Sequence, residues 1–211
     1  MIRWALVVGA LCQGSAIASE LTLSFLDVGQ GDAVLLECGS RYSLVDAGRG
    51  GKTADQLRAL KVKRLDYVIG THPHSDHIGG IDEVLERIPV GTFIDNGQSI
   101  DGNSFLAVED VIRDRKIRRK HAKAGMRLRL CAGVSMTVLW PAGLDPLEGE
   151  VSQENAQSVV LLIRNKAVKV LLTGDMERVV DLAPVPRTTR LGSRPGGHYG
   201  HNDATKVHSR I

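Results

Sequence analysis

The run His72-Pro73-His74-Ser75-Asp76-His77 constrains this chain more than any other feature. It follows closely on Leu65-Asp66-Tyr67-Val68-Ile69, a short apolar stretch of strand character, so a buried strand delivers three imidazoles and a carboxylate to one loop. Imidazole nitrogen and carboxylate oxygen are the usual ligands of zinc and related first-row metals, and a catalytic site keeps one position open for water. Two histidines one residue apart can face one ion from a loop while the Asp-His pair turns toward a second. The chain has only seven histidines, so three of them in this one loop are not a chance cluster.

The rest of the chain has the build of a protein that can bury such a loop. Its 211 residues are 43% apolar and 24% charged, which suits one globular domain with a proper core and leaves no room for a second. The net charge of +3 favours an anionic partner without requiring one. At the N-terminus Arg3 precedes an apolar run from Trp4 to Cys12, and Ala16-Ile17-Ala18 has the small-residue spacing of a cleavage site. Residues 1–18 are therefore expected to be a secretory leader, with the mature chain periplasmic or secreted and not stably inserted in a membrane. Leu11 before Cys12 fits a lipoprotein site poorly. Cys38 and Cys131 remain, and an oxidising compartment would let them pair. Because Cys38 closes the apolar run that starts at Ala33, the favoured reading is instead that both are small buried hydrophobes. Nothing in the sequence specifies an oligomeric state.

Strand patterns recur along the chain. Leu21, Leu23 and Phe25 alternate with polar residues, Gly29-Gln30-Gly31-Asp32 interrupts, and Ala33 to Leu36 resumes. Tyr42 to Val45 runs into Asp46, and Ala54, Leu57 and Leu60 mark a short helix. Beyond the histidine loop, Ile81, Val84, Leu85 and Ile88 give an amphipathic helix stopped at Pro89, and a second helix is expected from about Phe105 to Arg113. Further strands are expected at 127–130, 134–139, 158–163 and 168–172. Many strands with interspersed helices point to an α+β sandwich and exclude a helical bundle. From Arg178 to Gly197, three prolines and several arginines without apolar period read as coil.

Leu171-Leu172-Thr173-Gly174-Asp175 ends another apolar strand in a carboxylate, the same arrangement as Tyr42 to Asp46, and makes Asp175 a partner for the histidine loop. Taken with Phe25 to Ala33, Thr71 to Gly80 and Asn155 to Val159, in this order, these segments resemble the metallo-β-lactamase-like hydrolase domain of the ComEC/Rec2 type of competence DNA-uptake protein. The resemblance runs from Leu21 to about Glu177. It implies a four-layer αββα sandwich over residues 19–177, with His72 and His74 on one ion, Asp76 and His77 on a second, and Asp175 between them. Asp27, Asp32 and Asn155 would support the site. His198, in His198-Tyr199-Gly200, is the nearest match to the family's last ligand motif, in a tail over 178–211 that departs from the family pattern; the sandwich is accordingly expected to be incomplete at the C-terminus.

The resemblance further implies a dinuclear hydrolase, with zinc as the default metal and manganese as the second choice because no histidine occupies the family's middle ligand position. Ions about 3.5–4 Å apart would activate a water, with Asp76 as ligand and as the group that orients the nucleophile or accepts its proton. Phosphodiesters, nucleic acid among them, are the expected substrates. A lactone, β-lactam or thioester is the alternative, and a non-catalytic metal-binding module is the alternative of another class. The basic run of Arg113, Arg115, Lys116, Arg118, Arg119, Lys120, Lys123, Arg127 and Arg129 has two readings. It is a solvated helix end and strand edge, or a track for a phosphate backbone. No aromatic residue is interleaved for base stacking.

Overall fold

The computed structural model describes residues 20–141 and 153–176. The expected leader (1–18), the tail (178–211) and His198 lie outside these residues.

Ten strands among the described residues form two sheets. The first has the order β1 (Leu21–Phe25), β2 (Val34–Cys38), β3 (Arg41–Val45), β4 (Leu65–Ile69), β5 (Val90–Asp95) and β6 (Arg119–His121). Its first three strands are antiparallel, and from β3 to β6 every pairing is parallel. Parallel neighbours need crossovers, which α1 (Lys52–Ala59), α3 (Ile81–Arg87) and α4 (Asn103–Asp114) supply. The second sheet is an antiparallel meander, β7 (Arg127–Cys131), β8 (Val134–Trp140), β9 (Val160–Asn165) and β10 (Val168–Leu172).

Strand alternation divides the core in two. Val34, Leu36, Val45, Ile69 and Ile94 face Met136, Val138, Leu161, Ile163 and Leu172 between the sheets. Leu35, Leu44, Val68 and Phe93 point the other way, against Leu57, Ile81, Leu85, Val108 and Ile112 of the crossover helices. Strands buried on both faces read as continuous apolar runs, which is why Ala33 to Leu36 shows no polar alternation. Three layers of the expected αββα sandwich thus lie within the described residues.

The parallel arrangement positions the site. β3, β4, β5 and β6 all end at one edge of the first sheet, so Asp46, the loop after Ile69, Asp95 and His121 emerge side by side. Open sheets of this kind hold ligands outside the carboxyl ends of their strands.

Two of these strands were not expected. β5 follows Pro89 with only Phe93 and Ile94 as an apolar pair, and β6 is Arg-Lys-His within the basic run. Backbone pairing alone makes β6 a strand: Phe93 N donates to Arg118 O (2.8 Å) and Ala122 N to Asp95 O (2.6 Å). The helix read through Leu60 ends at Ala59, leaving Leu60 half exposed.

The favoured reading of the cysteines is corrected. Cys38 and Cys131 form a disulfide, Cα–Cα 5.9 Å, because the last residues of β2 and β7 meet across the space between the sheets. Cys38 pairs in register with Arg41 at the start of β3, so the bridge lies at the end of the sheet away from Asp46. It closes a span of 93 residues. In the chain-entropy account such a cross-link is worth about 4–5 kcal/mol through the unfolded state.

Candidate metal centre

β4 leaves the sheet through Gly70 and Thr71, and a one-turn helix, α2 (Ser75–Ile78), follows with His74 as its N-cap. The turn carries His77 back toward His72: His77 N and Ile78 N both donate to His74 O, at 3.0 and 2.9 Å. The rings of His72 and His77 lie 4.1 Å apart centre to centre, and those of His72 and His74 4.6 Å. His72 Nε2 is 3.1 Å from His74 Nδ1.

Asp175 reaches the same point from the second sheet, just beyond the end of β10. Its Oδ2 is 3.3 Å from His77 Nε2 and 3.9 Å from His72 Nε2. Gly174, at φ +52°, lets the chain pass between sheets there: a Cβ would stand 2.9 Å from Thr71 and 3.1 Å from Ser158. Val159 N donates to Thr71 O (2.8 Å), tying the start of the second hairpin to the end of β4.

Beneath the rings sits Asp46, 1% exposed, whose importance was not anticipated. Its Oδ1 accepts from Thr71 N (2.8 Å), and its Oδ2 from Thr71 Oγ1 (2.7 Å) and His77 Nδ1 (2.8 Å). A proton on His77 Nδ1 is thereby held by a carboxylate and Nε2 is turned toward Asp175, the arrangement that orients metal-binding histidines generally. Thr71 Oγ1 also lies 3.1 Å from His72 Nδ1. The strand-to-acid pattern of Tyr42 to Asp46 was the available signal; a φ of +58° at a residue other than glycine is the structural one.

The electrostatics follow from this packing. Burial, reinforced by the charge of His77, pushes His72 down to about 4 against the opposing carboxylates of Asp46 and Asp175. Burial also works against a charged His77, but Asp46 and Asp175 together outweigh it and push that group up to about 11. The hydrogen bond from His77 holds Asp175 below the usual carboxylate range, although burial opposes this. One ring is ready to donate a lone pair; the other carries a proton that an incoming cation must displace.

The other expected residues are placed unevenly. Asp32, Asp46 and His77 offer ligand atoms within 4.8 Å of one another, as do His72, His77 and Asp175. Asp32 comes close because its loop docks on the histidine loop: Asp32 N donates to Asp76 O (3.3 Å), and Gly48 N to Asp32 O (2.9 Å). Only glycine suits position 31, where a Cβ would lie 1.8 Å from Asp76 O. Asp27 is exposed and its Oδ1 accepts from Gly29 N (3.2 Å) in its own turn; it joins neither group. The carboxylate of Asp76 is half-buried and likewise belongs to neither group. Asn155 lies in α5 (Gln153–Ala156), from which the chain turns to dock on β4 and, through Asn96 Nδ2 to Gln157 O (3.1 Å), on β5.

Residues 26–118 match the metallo-beta-lactamase superfamily. The chain is 23% identical to ComE operon protein 3 of Bacillus subtilis, over 90% of this chain and 26% of that protein. It is 25% identical to Recombination protein 2 of Haemophilus influenzae, over 85% and 21%. A shorter match, 31% identical over 38% of this chain and 32% of the other, is to Exodeoxyribonuclease WalJ of Streptococcus pneumoniae. The chain spans about a quarter of the length of the first two relatives. With its two packed sheets and a histidine loop after a central strand, the chain carries a match to the metallo-β-lactamase domain over residues 26–118 and is similar at low identity to proteins of the ComEC family.

Proposed function

We propose that this domain is a metal-dependent hydrolase acting on phosphodiesters, nucleic acid among them. The observation that carries the reading is the convergence of His72, His77 and Asp175, from two sheets and about a hundred residues of sequence, on one point. We assign His72 and His74 to one divalent ion, Asp76 and His77 to a second, and Asp175 between them, with zinc or manganese as the metal. Ions held there supply Lewis acidity, which makes water a nucleophile near neutral pH and offsets charge on the attacked group. The chain's own part is orientation. Asp46 fixes the tautomer of His77, Thr71 braces both Asp46 and His72, and Asp76 directs the nucleophile.

Part of the basic run is available to an anionic substrate. Arg113 is paired with Asp110 and Asp114, and Arg119 with Asp95 and Glu109. Arg115, Lys116, Arg118, Lys120, Arg127 and Arg129 are exposed, with no ion pair among the described residues, and a phosphate backbone would use such charges. The streptococcal relative, named an exodeoxyribonuclease, supports the same class. Export is supported by the disulfide, since such bonds persist in oxidising compartments. No helix among the described residues is long and apolar enough to cross a membrane.

A substrate panel tests the proposal. With zinc or manganese supplied, the chain is expected to hydrolyse bis(p-nitrophenyl) phosphate, to lose that activity to a chelator, and to leave a chromogenic cephalosporin, a lactone and a glutathione thioester untouched. Turnover of one of the latter three instead would replace the substrate class, and metal uptake with no turnover at all would make the chain a binding module.

A further inference from the structure

Asp95 and His121 end neighbouring parallel strands and so emerge at the same sheet edge as the histidine loop. His121 Nδ1 is 2.7 Å from Asp95 Oδ1, which also accepts from Gly97 N (2.9 Å). The other oxygen, Oδ2, takes Arg119 Nε and Nη2, each at 2.6 Å. Arg119 is also ion-paired with Glu109, Nη1 to Oε1 at 2.7 Å. The three side chains differ in access: those of Asp95 and Arg119 are 12% and 24% exposed, that of His121 61%. A largely buried carboxylate, braced by a guanidinium, therefore holds one nitrogen of an exposed imidazole. Nε2 is the ring atom left for a partner from solvent. The arrangement is also joined to the metal loop, since His72, Pro73, Asp95, Asn96 and Arg119 line one hollow.

We propose that His121, held by Asp95, is a substrate-binding residue on the flank of the metal centre, contacting through Nε2 a phosphate next to the one attacked. The assignment rests on the phosphodiester reading above. Adjacent strands are spaced about 4.8 Å apart, so β6 ends roughly 10 Å from β4. That is too far for a residue acting on the scissile bond and suitable for the next group along a polymer. In the complex Nε2–H is donated to a phosphate oxygen while Nδ1 stays on Asp95. A surface lysine would supply charge without direction; the carboxylate beneath His121 supplies direction.

The test uses the full chain, metal-loaded, with a fluorescent phosphorothioate oligothymidylate as a slowly cleaved probe followed by anisotropy. His121→Ala is expected to weaken binding about tenfold, the loss of one charge-assisted hydrogen bond. His121→Gln, which keeps an N–H at similar reach, should recover part of it. Lys166→Ala, in the turn between β9 and β10, removes a positive charge elsewhere and should change nothing. On a cleavable oligonucleotide the His121→Ala loss should fall on KM, with kcat altered less than about twofold. Equal affinity in wild type and His121→Ala, or no binding of the probe by wild type, overturns the assignment. Binding with the expected loss, but without turnover of any phosphodiester, leaves His121 as a nucleic-acid contact and removes the hydrolytic reading instead.

Discussion

Replacing His72 and His74 together by alanine will reduce metal-dependent hydrolysis of a phosphodiester by at least about 1000-fold, a loss of roughly 4 kcal/mol of transition-state stabilisation. Both nitrogens assigned to one ion disappear, and Asp175 is left facing His77 alone. The sheets should survive, because the loop contributes no strand pairing. They will not survive unweakened, since His72 is 1% exposed and its removal opens a cavity beside Thr71 and His77. A fall of about 1–3 kcal/mol in unfolding free energy is expected, with an unchanged far-UV spectrum. A double mutant that keeps the wild-type rate would place the chemistry elsewhere on the chain.

Asp46→Asn will lower metal affinity by about 10–100-fold, although Asp46 is not one of the assigned ligands. Asparagine is nearly isosteric and tolerates the positive φ at this position, so the backbone should be spared. What changes is the proton. In wild type, His77 Nδ1–H is held by Asp46 Oδ2 and Nε2 faces the site. An amide nitrogen in place of Oδ2 donates to Nδ1 and drives the proton onto Nε2, where it blocks coordination. Titration against a competing chelator measures the loss, and an affinity within twofold of wild type would show that Asp46 has no part in presenting His77. The same substitution should flatten the pH dependence of the metal-free chain. His77, raised from 6.5 to about 11, contributes stability that is complete below pH 6.5 and is lost as the pH climbs toward 11. Without the Asp46 carboxylate that upper window should narrow to what Asp175 sustains alone. His72, lowered to about 4, acts on the other side: between pH 6.5 and 4 the unfolded chain binds a proton that the folded one refuses, so stability falls with acidification there.

Much of this centre was legible in local runs of residues, because the chemistry is carried by short segments at strand ends. The histidine loop after Leu65–Ile69 and the acid after Leu171-Leu172 were read where the structure places them, and β10 brings Asp175 to the loop. Asp46 was noticed as the same strand-to-acid pattern, yet its bonds to Thr71 and His77 depend on the parallel pairing of β3 with β4, which no local run encodes. β6 was missed for the same reason, since Arg119-Lys120-His121 becomes a strand only through its partner β5, and its charges hid it within a basic run. Neither His121, which lies within that run, nor Asp95 carries a local signal. The disulfide was misjudged because the meeting of β2 with β7 is a property of sheet packing. Asp27 fell on the correct loop but at the wrong end of it: the turn that seats Asp32 against Asp76 spends Asp27 on Gly29.

Every role proposed for this cluster of imidazoles and carboxylates requires that it hold metal. Elemental analysis of the purified full chain, before and after reconstitution with zinc or manganese, addresses that directly. It requires no knowledge of the substrate. We expect between about one and two ions per chain after reconstitution, with a proton released as His77 Nε2 gives up the one it shares with Asp175. Less than about a tenth of an equivalent, with no gain when either metal is supplied, would contradict the metal centre and every role assigned to it.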